Sequence, residues 1–170
     1  HGVRQQLLRL QAQAAQLPLI EIPLPWPCTN EQYEAIMAEA LSAARAQLMM
    51  DTVAFGDLFL EDIRSYREQQ MAGTGLALCF PLWKIPTDVL AQQMIDGGLK
   101  AAITCLDPRV MPEHLAGMQF GPELLDQLPD SVDPCGENGE FHTFAWDGPM
   151  FQNPIAVVSG EVVKRDGFVY

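Results

Sequence analysis

Short unbroken apolar runs alternate along this chain with stretches of helical period. Leu7, Leu8, Ala14 and Ala15 lie among Gln and Arg and predict a helix over about residues 2–16. Leu17 to Leu24 reads as a strand, closed by Pro23, Pro25 and Pro27. Thr29 opens a capping box with Gln32. Behind it Tyr33, Ile36, Met37, Ala40, Leu41, Ala44 and Leu48 recur at the spacing of one helix face. Thr52 to Phe55 is a short buried strand that ends at Gly56-Asp57, and Leu60, Ile63, Arg67 and Met71 mark the next helix. Leu76 to Phe80 is a further apolar run, stopped by Pro81-Leu82-Trp83. Thr87 to Asp96 is helical and Gly97-Gly98 ends it. Ala101 to Leu106 is a third strand, apolar throughout.

Strands without polar alternation, separated by helices, predict an α/β fold: a parallel sheet with helices on both faces, Rossmann-like. The character changes after Asp107. Prolines 108, 112, 122, 129 and 134 break the chain into short pieces. From Phe141 the pattern is that of strands, over Phe141 to Trp146, Ile155 to Val158, Glu161 to Val163 and Phe168 to Tyr170, with Asp166-Gly167 as a hairpin turn. The division expected is an α/β part over 1–107 and a strand-rich, irregular part over 108–170.

Composition narrows the function classes. The chain has 170 residues, 48% hydrophobic and 19% charged, the balance of a folded domain rather than a disordered one. Its net charge of −12 argues against nucleic acid and against an anionic membrane surface as partners. A nucleotide stays compatible with that charge, because backbone N–H groups and one or two local cations suffice to hold it. No apolar run approaches a membrane span. Cys28, Cys79, Cys105 and Cys135 are widely spaced without a CxxC pair, which reads as a reducing, cytoplasmic compartment. The chain opens with His1 rather than Met, as a fragment or a processed product would.

In open parallel sheets ligands bind beyond the carboxyl ends of the strands. That rule selects Gly56-Asp57, where Asp57 holds a ribose hydroxyl or a metal, or else caps the following helix. It also selects Trp83, a stacking surface or a core residue, and more weakly Asp107. Arg64, Arg67 and Lys84 are candidate phosphate cations, with a solvated helix face as the simpler account, and His114 reads as a solvated or capping residue. Residues 23–27 read as a rigid connection rather than an SH3-type ligand. The densest polar segment is Asp133-Pro-Cys-Gly-Glu-Asn-Gly-Glu-Phe-His-Thr143. Gly136 and Gly139 permit tight turns that bring Glu137 and Glu140 together, for Mg²⁺ binding or acid–base work. Cys135 and His142 are open to a nucleophile–base role or to zinc, although a third and fourth zinc ligand are not evident at motif spacing. A polar loop leading into a strand is the plain alternative.

The order Gly56-Asp57, Pro81-Leu82-Trp83, then Cys135-Gly-Glu-Asn-Gly-Glu-Phe141 resembles the diphthine–ammonia ligase-like family of PP-loop ATP pyrophosphatases, in its bacterial branch. The resemblance covers nearly all of the chain, and the Cys-Gly-Glu-x-Gly-Glu-Phe segment is its specific part. It implies a five-stranded parallel sheet of the PP-loop ATPase type with ATP at the carboxyl edge. It also implies an AMP-forming, ATP-dependent ligase that joins ammonia to a small-molecule or protein carboxylate, with ATP and Mg²⁺ as cofactors.

By this resemblance Glu137, Glu140 and His142 are the catalytic candidates, and Gly56, Asp57 and Trp83 face the nucleotide. Cys135, Gly136, Asn138 and Gly139 face the substrate, and no residue is assigned as a metal ligand. Relatives begin with a Ser-Gly-Gly-Lys-Asp-Ser-like PP-loop. None is present here, and His1-Gly2-Val3-Arg4 resembles the stretch after the second strand. The chain alone is therefore expected not to be a fully competent ATPase. Asn138 and His142 stand where archaeal and eukaryotic relatives carry Gly and Glu, so the acid is expected to differ from diphthine. A homodimer is left open. The alternative is a non-catalytic module that binds or senses adenine nucleotides, and a third reading is a zinc hydrolase built on Cys135 and His142.

Overall fold

The computed structural model describes residues 3–170; the reading placed on His1 and Gly2 lies outside the described residues. The chain forms two compact units. One is Ile20–Lys84, and the other joins the residues up to Leu19 with Ile85–Tyr170. These units cut the chain elsewhere than at the 107/108 boundary read from the sequence.

In the Ile20–Lys84 unit, helix α2 (Asn30–Leu48) starts at the expected capping box. Thr29 Oγ1 accepts the Gln32 N–H at 3.2 Å and Gln32 returns a side-chain acceptor to the Thr29 N–H at 3.0 Å. Strands β1 (Thr52–Ala54) and β2 (Ala77–Cys79) pair in parallel, Val53 opposite Leu78, and helix α3 (Glu61–Met71) connects them. This βαβ unit is the one parallel pairing among the described residues. Ala44, Leu58, Met71 and Leu76 are its buried apolar residues. The strand expected over Leu17–Leu24 does not form. Prolines 18 and 23 remove ladder donors there. Residues 20–23 instead line a groove of about 320 Å³ against the Ile36–Gln47 side of α2.

The second unit contains α1 (Gln5–Ala14), α4 (Thr87–Asp96) and a four-stranded sheet. Helix α4 ends as its two glycines predict: Gly98 takes φ +84° and donates to Ile95 O, while Leu99 donates to Met94 O. The chain then enters β3 (Lys100–Leu106), passes a 3₁₀ turn at Glu113–Leu115 and the short helix α5 (Pro122–Leu125), and reaches β4 (Phe141–Asp147). A hairpin of β5 (Lys164–Arg165) and β6 (Phe168–Val169) completes the sheet in the order β4-β3-β6-β5. Asp166 and Gly167 both have positive φ, as the tight turn between them requires.

Here the expectation of one parallel sheet is corrected. β3 is antiparallel to β4, with Leu106 opposite Phe141, and antiparallel to β6 through Leu106 and Val169. The run Ala101–Leu106 is buried at four positions and half-buried at Ala102 and Thr104. It carries no information on the direction of its neighbours. The fold is a mixed α/β arrangement of a small parallel pair and an antiparallel sheet. The core of the second unit surrounds β3: Leu106, Leu115 and Leu124 are fully buried, with Phe120, Phe141 and Val169 beside them. The strands expected over Ile155–Val158 and Glu161–Val163 are not realised. Residues 156–163 are exposed, and only Val163 joins the hairpin, through paired backbone bonds with Tyr170.

Candidate functional site

The polar segment after α5 is a closed loop, and its geometry follows from one aspartate and two glycines. Asp133 Oδ1 accepts the N–H groups of Cys135 at 2.9 Å and Glu137 at 3.3 Å. The Gly136 N–H donates to Asp133 O and the Gly139 N–H to Gly136 O, so two turns follow in succession. Gly136 and Gly139 have φ of +70° and +83°. At Gly136 a Cβ would lie 2.9 Å from Phe141 O and 3.2 Å from the Phe141 ring, whereas at Gly139 it would meet nothing within 4 Å. Gly136 is thus needed for conformation and for packing, and Gly139 for conformation alone.

Glu140 is the acid that the loop buries, with 7% of its surface exposed. Its Oε1 accepts the Asp133 N–H at 3.0 Å and Asn138 Nδ2 at 2.9 Å. Its Oε2 is buried without a hydrogen-bond partner among the described residues. Burial pushes this carboxyl up, but the hydrogen bonds from Asp133, Asn138 and nearby backbone outweigh it and hold the group below the usual range. The Glu140 main-chain O accepts the Asp107 N–H at 2.9 Å, which ties the loop to the end of β3. Asn138, read as a substrate contact, therefore braces Glu140.

Cys135 is half-buried, and its Sγ donates to Thr87 O at 3.3 Å. Burial first, then the charges of Asp133 and Glu137, push the thiol up to about 12. Such a group stays protonated at neutral pH, which removes the activated thiolate that a Cys–His nucleophile needs. His142 follows on β4 and opposes Cys105 of β3. Burial pushes its imidazole below its ordinary value. No group of three or more His, Cys, Asp or Glu suited to a metal ion occurs among the described residues.

Two residues to which the sequence reading gave no role organise this site. Thr87, the first residue of α4, donates its hydroxyl to Asp133 Oδ2 at 2.6 Å. Asp133 was quoted only as the start of the segment. A Pro-Cys-Gly turn after an aspartate was the available signal, since Asx side chains bond the backbone two residues on. Asp107, weighed as a strand-end ligand, is committed locally: Arg109 donates to its carboxylate from Nε at 2.8 Å and from the backbone at 2.9 Å. Those hydrogen bonds hold it below the usual carboxylate range. His114 is exposed near Gln127.

In the Ile20–Lys84 unit the strand-end residues form a separate cluster. Phe55 and Phe80, which follow β1 and β2, stack at 5.6 Å, and Trp83 meets Phe80 edge-on at 6.0 Å. Arg64 lies 4.6 Å from the Phe80 ring centre and 4.7 Å from that of Trp83, and Arg67 covers Phe55 at 5.0 Å. Each candidate phosphate cation already has an acid: Arg64 with Glu68, Arg67 with Asp57 and Lys84 with Glu61. Asp57 Oδ2 and Arg67 Nε are 3.6 Å apart and buried, and neither makes a hydrogen bond among the described residues. A Cβ on Gly56 would meet nothing within 4 Å, so the backbone there is open. Arg64 and Arg67 thus lie over the rings of this aromatic cluster. The donor set does not fit a Mg²⁺ cage, because the one strand-end carboxylate is held by Arg67.

Residues 86–169 match the family model of the diphthamide synthase C-terminal domain. The chain is 28% identical over 151 residues to the diphthine–ammonia ligase of Bos taurus, covering 84% of this chain and 55% of that protein. It is 28% identical over 146 residues to the Mus musculus protein of the same name, covering 81% and 53%. With the Danio rerio protein it shares 27% over 178 residues, covering 95% and 69%. The chain thus spans about half the length of the first two relatives. No helix among the described residues is long and apolar enough to cross a membrane.

Proposed function

From the premise that the chain belongs to the diphthine–ammonia ligase-like family, we propose that it carries part of an ATP-dependent, AMP-forming ligase. The reaction class activates a carboxylic acid as its adenylate with loss of pyrophosphate, and ammonia then displaces AMP to leave an amide. The observation that carries this reading is the built loop at residues 133–140, inside the region matched by the family. It presents Glu140 Oε2 as a buried acceptor with unused capacity. A carboxylate held ionised in such a place suits a hydrogen-bond donor or a proton in transit. Glu137 and His142 are assigned as its neighbours in that chemistry, with His142 neutral at pH 7. Cys135, Gly136, Asn138 and Gly139 shape the acceptor side. Gly56, Asp57 and Trp83 are assigned to ATP, with the Phe80–Trp83 surface for the base. No step is assigned to Mg²⁺.

We assign the chain to the bacterial branch, with an acid other than diphthine, on the departures at Asn138 and His142. We assign the protein to the cytoplasm. Incubation of the protein at its full natural length with ATP, ammonium and a panel of carboxylic acids tests the reading. Equal amounts of AMP and pyrophosphate, dependent on one acid class, are the expected result. ATP binding in calorimetry with no turnover on any acid would favour the nucleotide-sensing alternative. Absence of both binding and turnover would remove both readings.

A further inference from the structure

Asp133 acts on its loop from both ends. Its carboxylate fixes the Cys135 and Glu137 N–H groups, and its own N–H fixes Glu140 Oε1. The other carboxylate oxygen reaches Thr87 at the start of α4, and Thr87 O receives the Cys135 thiol in return. The loop is therefore attached to α4 at two points on one residue. The start of a helix favours a carboxylate there, since its N–H groups are not used within the helix. A loop with only a structural purpose has no use for a buried acceptor left over, and native folds seldom leave one. Glu140 Oε2 is such an acceptor, and its carboxylate is oriented by Asp133.

We propose that Thr87 and Asp133 are positioning residues that aim Glu137 and Glu140 for the ligation. The chemistry rests on the ligase reading, but the geometry does not. The clamp predicts that Cys135 reports on it, because its N–H bonds Asp133 and its thiol bonds Thr87 O.

The test uses the protein at its full natural length with every cysteine but Cys135 replaced by Ser or Ala, comparing the parent with D133N, T87V and T87S. Circular dichroism first establishes that each variant is folded. In D133N and T87V, alkylation of Cys135 at pH 8 should accelerate by about tenfold, as for a thiol one pKa unit lower. Amide exchange at Cys135 and Glu137 should rise with it. Pyrophosphate release should lose about tenfold or more in kcat, with KM for ATP within about twofold, the pattern of misplaced reacting groups. T87S should restore what T87V loses. Alkylation and kcat both within twofold of the parent in D133N and T87V, or T87S as impaired as T87V, would overturn the proposal. If the parent releases no pyrophosphate with any acid, the ligase reading falls. Alkylation and exchange then decide the clamp by themselves.

Discussion

The Asp133 N–H and the Glu140 carboxylate meet at 3.0 Å, seven residues apart, and close the loop from which the strand β4 departs. Replacing Glu140 by Ala removes that bond and the one from Asn138, leaving the part-buried Asp133 N–H without this acceptor. The expected loss is about 2–3 kcal/mol, typical of hydrogen bonds to a buried charge. Urea unfolding of parent and variant reads it.

The same carboxylate gives a pH dependence. Its folded pKa lies below its ordinary value of 4.5, so the unfolded chain binds the proton more readily. The stabilisation is complete above that value and is lost as the pH falls through the folded pKa. E140Q should flatten the acid limb of stability below about pH 5 relative to the parent. An unchanged limb would show that Glu140 does not set it.

Gly136 and Gly139 separate conformational strain from packing. Gly139→Ala should cost about 1 kcal/mol for positive φ alone. Gly136→Ala should cost clearly more, on the order of 3 kcal/mol, because its Cβ would also strike Phe141 O. Equal melting temperatures for the two variants would contradict the stated contact.

His142 should titrate below 6.5 in an NMR pH series, because burial penalises its charged form. The unfolded chain then takes up the proton first. His142 therefore contributes stability that is present above 6.5 and is lost as the pH falls through its folded pKa. H142Q should remove that contribution from the pH 5–7 window.

In the Ile20–Lys84 unit, Thr29→Ala removes the side-chain acceptor of the α2 capping box. The expected cost is about 1 kcal/mol, with Thr29→Ser close to the parent. Thermal melts followed by far-ultraviolet circular dichroism measure it.

Local chemistry was legible in the sequence wherever a residue type dictates its own backbone. The Thr29–Gln32 box, the Gly97-Gly98 stop and the Asp166-Gly167 turn follow from the side chains concerned. Direction was not legible. Ala101–Leu106 is buried at Ala101, Ile103, Cys105 and Leu106 and half-buried at Ala102 and Thr104, and such a run reads alike beside parallel or antiparallel neighbours. The β-branched run Val157-Val158 was legible as strand-forming but found no partner, since propensity does not supply one. At the loop, the dense polar segment was visible while its organisation was not. The pairing of Asp133 with Thr87 spans 46 residues, a separation on which local pattern is silent.

The order of the units along the chain bears on how they assemble during synthesis. Ile20–Lys84 is one contiguous stretch, whereas the other unit draws on sequence from both sides of it. Gln11 Nε2 reaches Ala145 O, 134 positions away, and Val169 closes the sheet against Leu106. A chain emerging from the ribosome can complete the first unit while the second still lacks its last strands. Until residue 169 is available, β3 lacks its antiparallel partner at Leu106. This long-range closure makes the second unit the slower to form, and the one whose nascent state has most need of a chaperone.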